Sequence, residues 1–113
     1  MITIYHNPRC RKSREGLSVL EDSGKEFAIV KYLEEGLTKD TLEQILEKLA
    51  ISPLDLVRKN EAIWKEKYKG RPLSESAIIE AMVRHPKLME RPVVVHNEKA
   101  VIGRPSSEIH SIL

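Results

Sequence analysis

The chain has 113 residues, of which 41% are hydrophobic and 32% are charged, and these proportions are typical of one globular domain with its own apolar core. Its 19 basic and 17 acidic side chains give a formal net charge of +2, which is too small for a protein that binds nucleic acid through overall charge. The single cysteine excludes an intrachain disulfide and a cysteine-rich zinc site, and it favours a reducing, cytoplasmic location.

The first predicted elements are a strand, a helix and a second strand. The run "ITIY" at 2–5 is β-branched and aromatic, and the turn signal Asn-Pro follows it. A helix is predicted from Arg9, and Gly24 is expected to close it in the left-handed conformation. Residues 26–33, "EFAIVKYL", are predicted as the second strand. A helix that links the two strands makes them parallel.

The middle of the chain is predicted to consist of helices. Thr38 is expected to cap a helix whose leucines and isoleucine recur at helical spacing. Ser52 is expected to cap a short helix with proline in its first turn. The pattern continues helically over 60–69, and Ser74 is expected to cap a further helix that Pro86 ends.

The last third of the chain is predicted to form a hairpin and a short helix. Residues 93–95 and 100–102 are predicted as antiparallel strands around a turn at 96–99. Ser106 or Ser107 is expected to cap the final helix.

This order of elements predicts an α/β fold. We expect a mixed four-stranded sheet with helices on both faces and an extra helical segment in the middle. No repeat, low-complexity tract or linker interrupts the sequence, so one domain over residues 1–113 is predicted.

Cys10 is the strongest candidate for a chemically active residue. It lies between a strand and the start of a helix, where unpaired backbone N–H groups and the helix dipole favour an anion. Arg9, Arg11, Lys12 and Arg14 surround it. An ordinary thiol has a pKa of about 8.5, which can fall to roughly 3.5–7.5 in such surroundings. The alternative is a small apolar filler at the junction, but the local charge favours a reactive thiolate.

The neighbouring cations are not expected to be equivalent. Arg14 lies four residues after Cys10, one helical turn away, and is predicted to face the site. Arg11 and Lys12 are predicted to lie at its rim. His6 is expected to add to the effect if the turn points its side chain inward.

Ser13 occupies the position where a dithiol oxidoreductase has its second cysteine. A chain with serine there cannot close its own disulfide. Any two-electron reduction that it performs must therefore take a second thiol from another molecule.

Three segments, "IYHNPRCRKSRE", "MVRHPKLMERPVVV" and "IGRPSSEI", resemble the glutaredoxin-linked arsenate reductase family, in particular its small bacterial arsenate reductase-like branch. The likeness runs nearly end to end. It implies a thioredoxin-like fold with a helical insertion, Cys10 as the nucleophile, and a cis peptide bond before Pro92.

The resemblance also implies the residues around the thiol. Those matched to the oxyanion-binding set are Arg58, Arg91 and Arg104, and those matched to the thiol-tuning set are His6, Ser13 and Arg14. From the residues alone, Arg91 and Arg104 flank a hairpin beside the expected thiol. Arg58 alone would instead be interpreted as a surface residue paired with a nearby glutamate.

The function implied is reduction of arsenate to arsenite by a single cysteine, with glutathione as co-substrate, glutaredoxin as partner and no bound cofactor. A monomer in the cytoplasm is the default expectation. Two alternatives stay open, namely an Spx-like regulator that binds RNA polymerase and a glutathione-dependent thiol oxidoreductase without arsenate activity.

Other classes of site are not expected. The remaining histidines have no paired ligand spacing, so no metal site is predicted. No apolar run approaches the roughly 20 residues that span a bilayer, and no signal peptide is evident. We expect neither membrane nor nucleic acid as a partner.

Overall fold

The computed structural model describes residues Met1–Leu113, and the chain divides into two compact units. The first comprises Met1–Glu35 together with Arg91–Leu113, and the second comprises Gly36–Glu90. One domain over residues 1–113 stays a prediction.

The first unit contains a mixed four-stranded sheet with the strand order β2-β1-β3-β4. Its strands are β1 (Ile2–Tyr5), β2 (Phe27–Val30), β3 (Val93–His96) and β4 (Lys99–Ile102). β1 and β2 are parallel, whereas β3 runs antiparallel to both β1 and β4. The thioredoxin-like fold class expected from the sequence is therefore confirmed.

The core of this unit forms where β1 and β3 meet α1 (Arg11–Ser23) and a C-terminal 3₁₀ helix (Ser106–Ile112). Because successive strand residues point to opposite faces, Ile2 and Ile4 share a face of β1. Both are buried, and they cluster with Leu20 of α1, Val94 of β3 and Ile109 of the 3₁₀ helix. This packing holds α1 and the 3₁₀ helix against the sheet.

Helix α1 begins two residues later than predicted. Cys10 has an extended backbone, with φ −93° and ψ 122°, and it precedes the helix as its N-cap residue. The predicted helix end is confirmed, because Gly24 has a φ of 73°. The left-handed conformation costs glycine little because it has no Cβ.

The prediction that β2 continues to residue 33 is wrong. The strand ends at Val30, and a single turn of helix, α2 (Tyr32–Glu35), follows. The carbonyl of Lys31 accepts the backbone N–H of Glu35 at 2.9 Å, and the Glu35 carboxylate accepts the N–H of Lys31 at 3.0 Å. These reciprocal bonds stop the strand.

The hairpin turn is shorter than predicted, because His96 and Lys99 both belong to strands. Only two residues remain between them, and the first, Asn97, has a positive φ of 56° that asparagine tolerates well. Neither Ser106 nor Ser107 caps the final helix. Pro105 precedes it, and no side chain makes a capping bond there.

The second unit is helical, as predicted. Its α-helices are α3 (Lys39–Leu49), α4 (Ala62–Lys67) and α5 (Glu75–Arg84), and its 3₁₀ helices span Pro53–Leu56 and Pro86–Leu88. The hydroxyls of Thr38 and Ser74 each accept a backbone N–H at 3.1 Å, which confirms both predicted caps. Ser52 occupies the predicted N-cap position before Pro53, but its hydroxyl makes no capping bond and donates to the Asp55 carboxylate instead.

None of the helices in either unit combines the length and the apolar character that crossing a membrane requires.

Candidate active site

The candidate site is built around the loop that joins β1 to α1. The backbone N–H of His6 donates to the Val30 carbonyl at 2.9 Å, so the loop leaves the sheet from between the parallel strands. The N–H of Cys10 donates to the Asn7 carbonyl at 3.0 Å, and the Cys10 carbonyl accepts the N–H of Arg14 at 3.0 Å. The half-buried free thiol therefore lies at the first turn of α1.

The pKa of the Cys10 thiol lies below its ordinary value. Burial alone raises the pKa, because it penalises the charged sulfur. The backbone N–H of Ser13 and the hydrogen bond and charge of the Arg91 side chain lower it, with a smaller effect from the backbone N–H of Lys12. The N–H groups of the helix start and a guanidinium from before β3 thus outweigh burial. The thiolate is the nucleophilic form of cysteine.

Arg91 has spare capacity to bind an anion. Its Nε is buried and has no hydrogen-bond partner. A buried donor without a partner costs roughly 1–3 kcal/mol. An oxyanion that accepted this N–H beside the sulfur would remove that cost. The guanidinium also offers the planar fork that suits the oxygens of such an anion.

Pro92 holds Arg91 in place. The Arg91–Pro92 peptide bond is cis, as the family resemblance implies, and Arg104–Pro105 is also cis. A Cβ built on Gly16 would lie 2.7 Å from Pro92 Cγ, and one built on Gly103 would lie 3.0 Å from the same atom. The first contact is shorter than real Cβ atoms show, and the second is tighter than most of them. The two glycines therefore let the proline pack between α1 and the end of β4.

His6 and Ser13 form a buried pair beneath the loop. The His6 Nδ1 and the Ser13 hydroxyl are 2.6 Å apart, and the same hydroxyl accepts the backbone N–H of Asn7 at 2.9 Å. Burial lowers the pKa of His6, and the charges of Lys31 and Arg14 lower it further. The imidazole is therefore neutral at pH 7. His6 is not among the groups that lower the pKa of the Cys10 thiol, and its thiol-tuning role stays a prediction.

The cations nearest to Cys10 in the sequence do not contribute to its lowered pKa. Arg14 is exposed and donates to the Pro8 carbonyl at 3.0 Å, so it braces the loop. Arg11 is exposed, and the Nζ of exposed Lys12 lies 3.7 Å from the Glu15 carboxylate. The charge that lowers the pKa of Cys10 instead comes from Arg91, which is far from it in the sequence. The thiol-tuning role of Arg14 stays a prediction.

Arg104 lies in the same unit as Cys10 and Arg91. Its terminal nitrogen donates to the Arg91 carbonyl at 3.5 Å, which is a long and weak bond. The side chain is exposed, and it makes no ion pair with a carboxylate. The guanidinium is therefore free to bind an anion near Arg91.

Arg58 belongs to the second unit, where two carboxylates hold it. It lies 2.7 Å from Glu61 and 3.3 Å from Glu90, and all three side chains are about three-quarters buried. The interpretation from the residues alone, a pairing with a nearby glutamate, describes these contacts. A role of Arg58 in binding an oxyanion stays a prediction.

The sequence analysis missed two glycines. Gly16 and Gly103 carry no chemistry, but they set the position of Pro92. Gly16 could have been found, because a glycine within a helical pattern often marks a close approach. No group of three or more His, Cys, Asp or Glu side chains in the structure could hold a metal ion.

The fold and the site together define a thioredoxin-like protein with one activated thiol beside an arginine. Residues 5–112 match the model of the ArsC family, and the chain belongs to this family.

Individual relatives match over nearly the full length. An uncharacterized Escherichia coli K12 protein, YfgD, is 47% identical over 99% of this chain and 96% of its own length. A Neisseria meningitidis protein named arsenate reductase is 40% identical over 99% of this chain and 97% of its own. The solved structure of an arsenate reductase from Vibrio cholerae superposes with a TM-score of 0.95 at 40% identity, covering 99% of this chain and 97% of that one.

Proposed function

We propose that this protein is an arsenate reductase that uses Cys10 as its only nucleophile and takes reducing equivalents from glutathione and glutaredoxin. The observation that carries the proposal is the Cys10 thiol with its lowered pKa beside Arg91, whose buried Nε has no partner. The proteins named arsenate reductase that match this chain over its full length give independent support.

In the first step the Cys10 thiolate attacks the arsenic of arsenate. A sulfur–arsenic bond forms and an arsenic–oxygen bond breaks, and the leaving oxygen takes a proton and departs as water. Arg91 and Arg104 bind the remaining oxygens and stabilise the charge that builds up on them. Arg58 is assigned to the same set by the family resemblance. Arsenic is still in its +5 state after this step.

In the second step a glutathione thiolate attacks the Cys10 sulfur. A disulfide forms, the sulfur–arsenic bond breaks, and its electron pair stays on arsenic, which leaves as arsenite. The two sulfurs are oxidised and the arsenic is reduced, so the electrons balance. Glutaredoxin then attacks the glutathionyl sulfur and releases the Cys10 thiolate. These external thiols supply what Ser13 cannot.

A cleft beside the loop supports a small charged thiol as the co-substrate. It has a volume of about 380 Å³, and buried His6 forms part of its wall. Arg9 and Lys31 can bind the carboxylates of such a molecule, and Glu34 can bind its ammonium group. Glutathione carries both kinds of charge.

The test is an assay in which arsenate drives NADPH oxidation through glutathione, glutaredoxin and glutathione reductase. We expect turnover by the wild-type chain and background rates for Cys10→Ser, with circular dichroism to confirm that the variant is folded. Equal turnover by the two proteins would eliminate the mechanism.

The same assay separates arsenate reduction from the closest alternative. A second series replaces arsenate with a glutathionyl mixed disulfide of a small thiol. Cys10-dependent activity on the mixed disulfide alone would assign the chain to the thiol oxidoreductases instead.

A further inference from the structure

A second cavity lies wholly within the helical unit, and the proposed chemistry does not use it. Its volume is about 270 Å³. Its apolar wall consists of Leu54, Trp64, Tyr68, Leu73 and Ile78, and we call it the Trp64 pocket. Ligand pockets for drug-sized molecules measure roughly 300–1,000 Å³, so this one suits a slightly smaller ligand.

Two aromatic rings stack in the apolar wall of the pocket. The rings of Trp64 and Tyr68 are stacked, with centroids 5.4 Å apart and planes inclined by 24°. Trp64 and Ile78 are buried, whereas Leu54 is 40% exposed and is one of only four large hydrophobic side chains exposed in the whole chain. Leu54 therefore offers exposed apolar surface to a ligand, while Trp64 and Ile78 form the buried side of the pocket.

The polar lining is entirely basic. Lys59, Lys69 and Arg71 line the pocket, and no carboxylate does. None of the three forms an ion pair with a carboxylate. Three cations without a counter-charge favour an anionic partner.

The backbone holds two of these cations on either side of a tight turn. The N–H of Lys69 donates to the Trp64 carbonyl at 2.9 Å, and the N–H of Arg71 donates to the Tyr68 carbonyl at 3.2 Å. Between them Gly70 has a φ of 78°, which a residue with a Cβ rarely adopts. The turn thus presents both side chains from the edge of the aromatic stack.

We propose that the Trp64 pocket binds a small organic anion, a molecule with an apolar body and one carboxylate-like head. The body packs on Leu54, Tyr68 and Leu73, and the head binds Lys69 and Arg71. The size of the cavity excludes a folded partner from its interior. The absence of an acidic lining residue disfavours a cation or a zwitterion.

The chain provides its own reporter, because Trp64 is its only tryptophan. The experiment titrates octanoate into the full-length protein and follows tryptophan emission. Two control ligands are titrated in the same way. Octylammonium has the same alkyl chain as octanoate and the opposite charge, and inorganic phosphate has negative charge but no alkyl chain. We expect a saturable change with octanoate only. The same titration of Cys10→Ser should give the same curve, because the thiol site is not involved.

Variants test which side chains recognise the head. Lys69→Gln combined with Arg71→Gln should weaken octanoate binding about tenfold, since both charge-assisted contacts are lost. Lys39→Gln combined with Arg84→Gln removes the same charges from exposed positions outside the pocket and should leave the affinity unchanged.

Several results would overturn the proposal. These are no saturable response to octanoate, an equal response to octylammonium, an unchanged affinity in the double variant of the pocket, or loss of the response in Cys10→Ser. The last result would place the ligand at the thiol site, and it would leave the proposed reductase activity standing.

Discussion

Gly16 lies so close to Pro92 that a Cβ built on its backbone would sit 2.7 Å from Pro92 Cγ and 3.2 Å from Ile109 Cδ1. This contact joins the helix that begins after Cys10 to the residue that follows Arg91. The packing of Gly16 on Pro92 therefore links the two groups that lower the pKa of the thiol, the helix start and the guanidinium, through residues that have no polar side chain.

Gly16→Ala should destabilise the protein. Alanine is the better helix former, by roughly 1 kcal/mol, so the variant would be more stable if the space were free. The added methyl group instead meets a proline ring and an isoleucine, and overpacking of this kind costs about 1–3 kcal/mol. Urea unfolding measures the difference. Ser18→Ala, at an exposed position of the same helix, is the control and should be neutral or slightly stabilising.

Arg91→Gln should raise the pKa of the Cys10 thiol, because it removes the hydrogen bond and the charge that lower this pKa. Alkylation by iodoacetamide near neutral pH should then slow several-fold, since the thiolate is the reacting form. Arg11→Gln removes a guanidinium one residue from Cys10 in sequence and should change little. If Arg11→Gln had the larger effect, the cations of the loop would be the source of the lowered pKa.

Ser13→Ala should cost stability and leave most of the turnover. The hydroxyl bonds with His6 and accepts the backbone N–H of Asn7, and loss of such buried bonds costs about 1–3 kcal/mol. The part of Ser13 that lowers the pKa of Cys10 is its backbone N–H, and alanine keeps this group. Unfolding and the arsenate assay are measured on the same preparation. A loss of turnover as complete as in Cys10→Ser would show that the hydroxyl itself takes part in the reaction.

The stability of the protein should fall as the pH is lowered below about 6.5, the ordinary pKa of histidine. Burial, Lys31 and Arg14 lower the pKa of His6 in the folded state, so the unfolded chain binds the proton more readily. The free energy of unfolding therefore rises with pH between the folded and unfolded pKa values of His6. Above the unfolded pKa, the contribution of His6 to stability is complete.

Substitution of individual histidines tests this pH dependence. His6→Gln should flatten the dependence measured by urea unfolding between pH 5 and 7.5. Part of the slope should remain, because burial and neighbouring cations also lower the pKa of His85. His110→Gln, at an exposed position, should keep the slope of the wild type. An unchanged slope in His6→Gln would mean that His6 does not titrate differently in the two states.

Elements with local causes could be predicted from the sequence. The caps at Thr38 and Ser74 and the left-handed Gly24 depend on residues within one turn of the helix end, and all three are confirmed. The end of β2 was missed because the bond between Lys31 and the Glu35 carboxylate competes with strand pairing. The pattern of apolar residues over 26–33 does not show this competing hydrogen bond.

The sequence analysis and the structure differ in which groups lower the pKa of the Cys10 thiol. The role of Cys10 as the nucleophile stays a prediction. Composition around Cys10 pointed to a cation-rich loop, and the resemblance pointed to Arg91. Only the second contributes to the lowered pKa. The difference is physical, because a side chain acts through its direction and its distance in space. The packing of Gly16 and Gly103 on Pro92, which brings Arg91 to the sulfur, depends on three segments far apart in the chain.

The hydroxyl of Ser13, buried and bonded to His6, has a consequence for how such a protein would work in a cell. A lone sulfur has no companion on the same chain to accept its oxidation, so each cycle must wait for a molecule that arrives by diffusion. The turnover rate of the protein would then depend on the concentration of external thiols. A shortage of glutathione would leave the protein as the Cys10–arsenic adduct, whereas a shortage of glutaredoxin would leave it as a mixed disulfide with glutathione. Mass spectrometry would distinguish the two forms on Cys10.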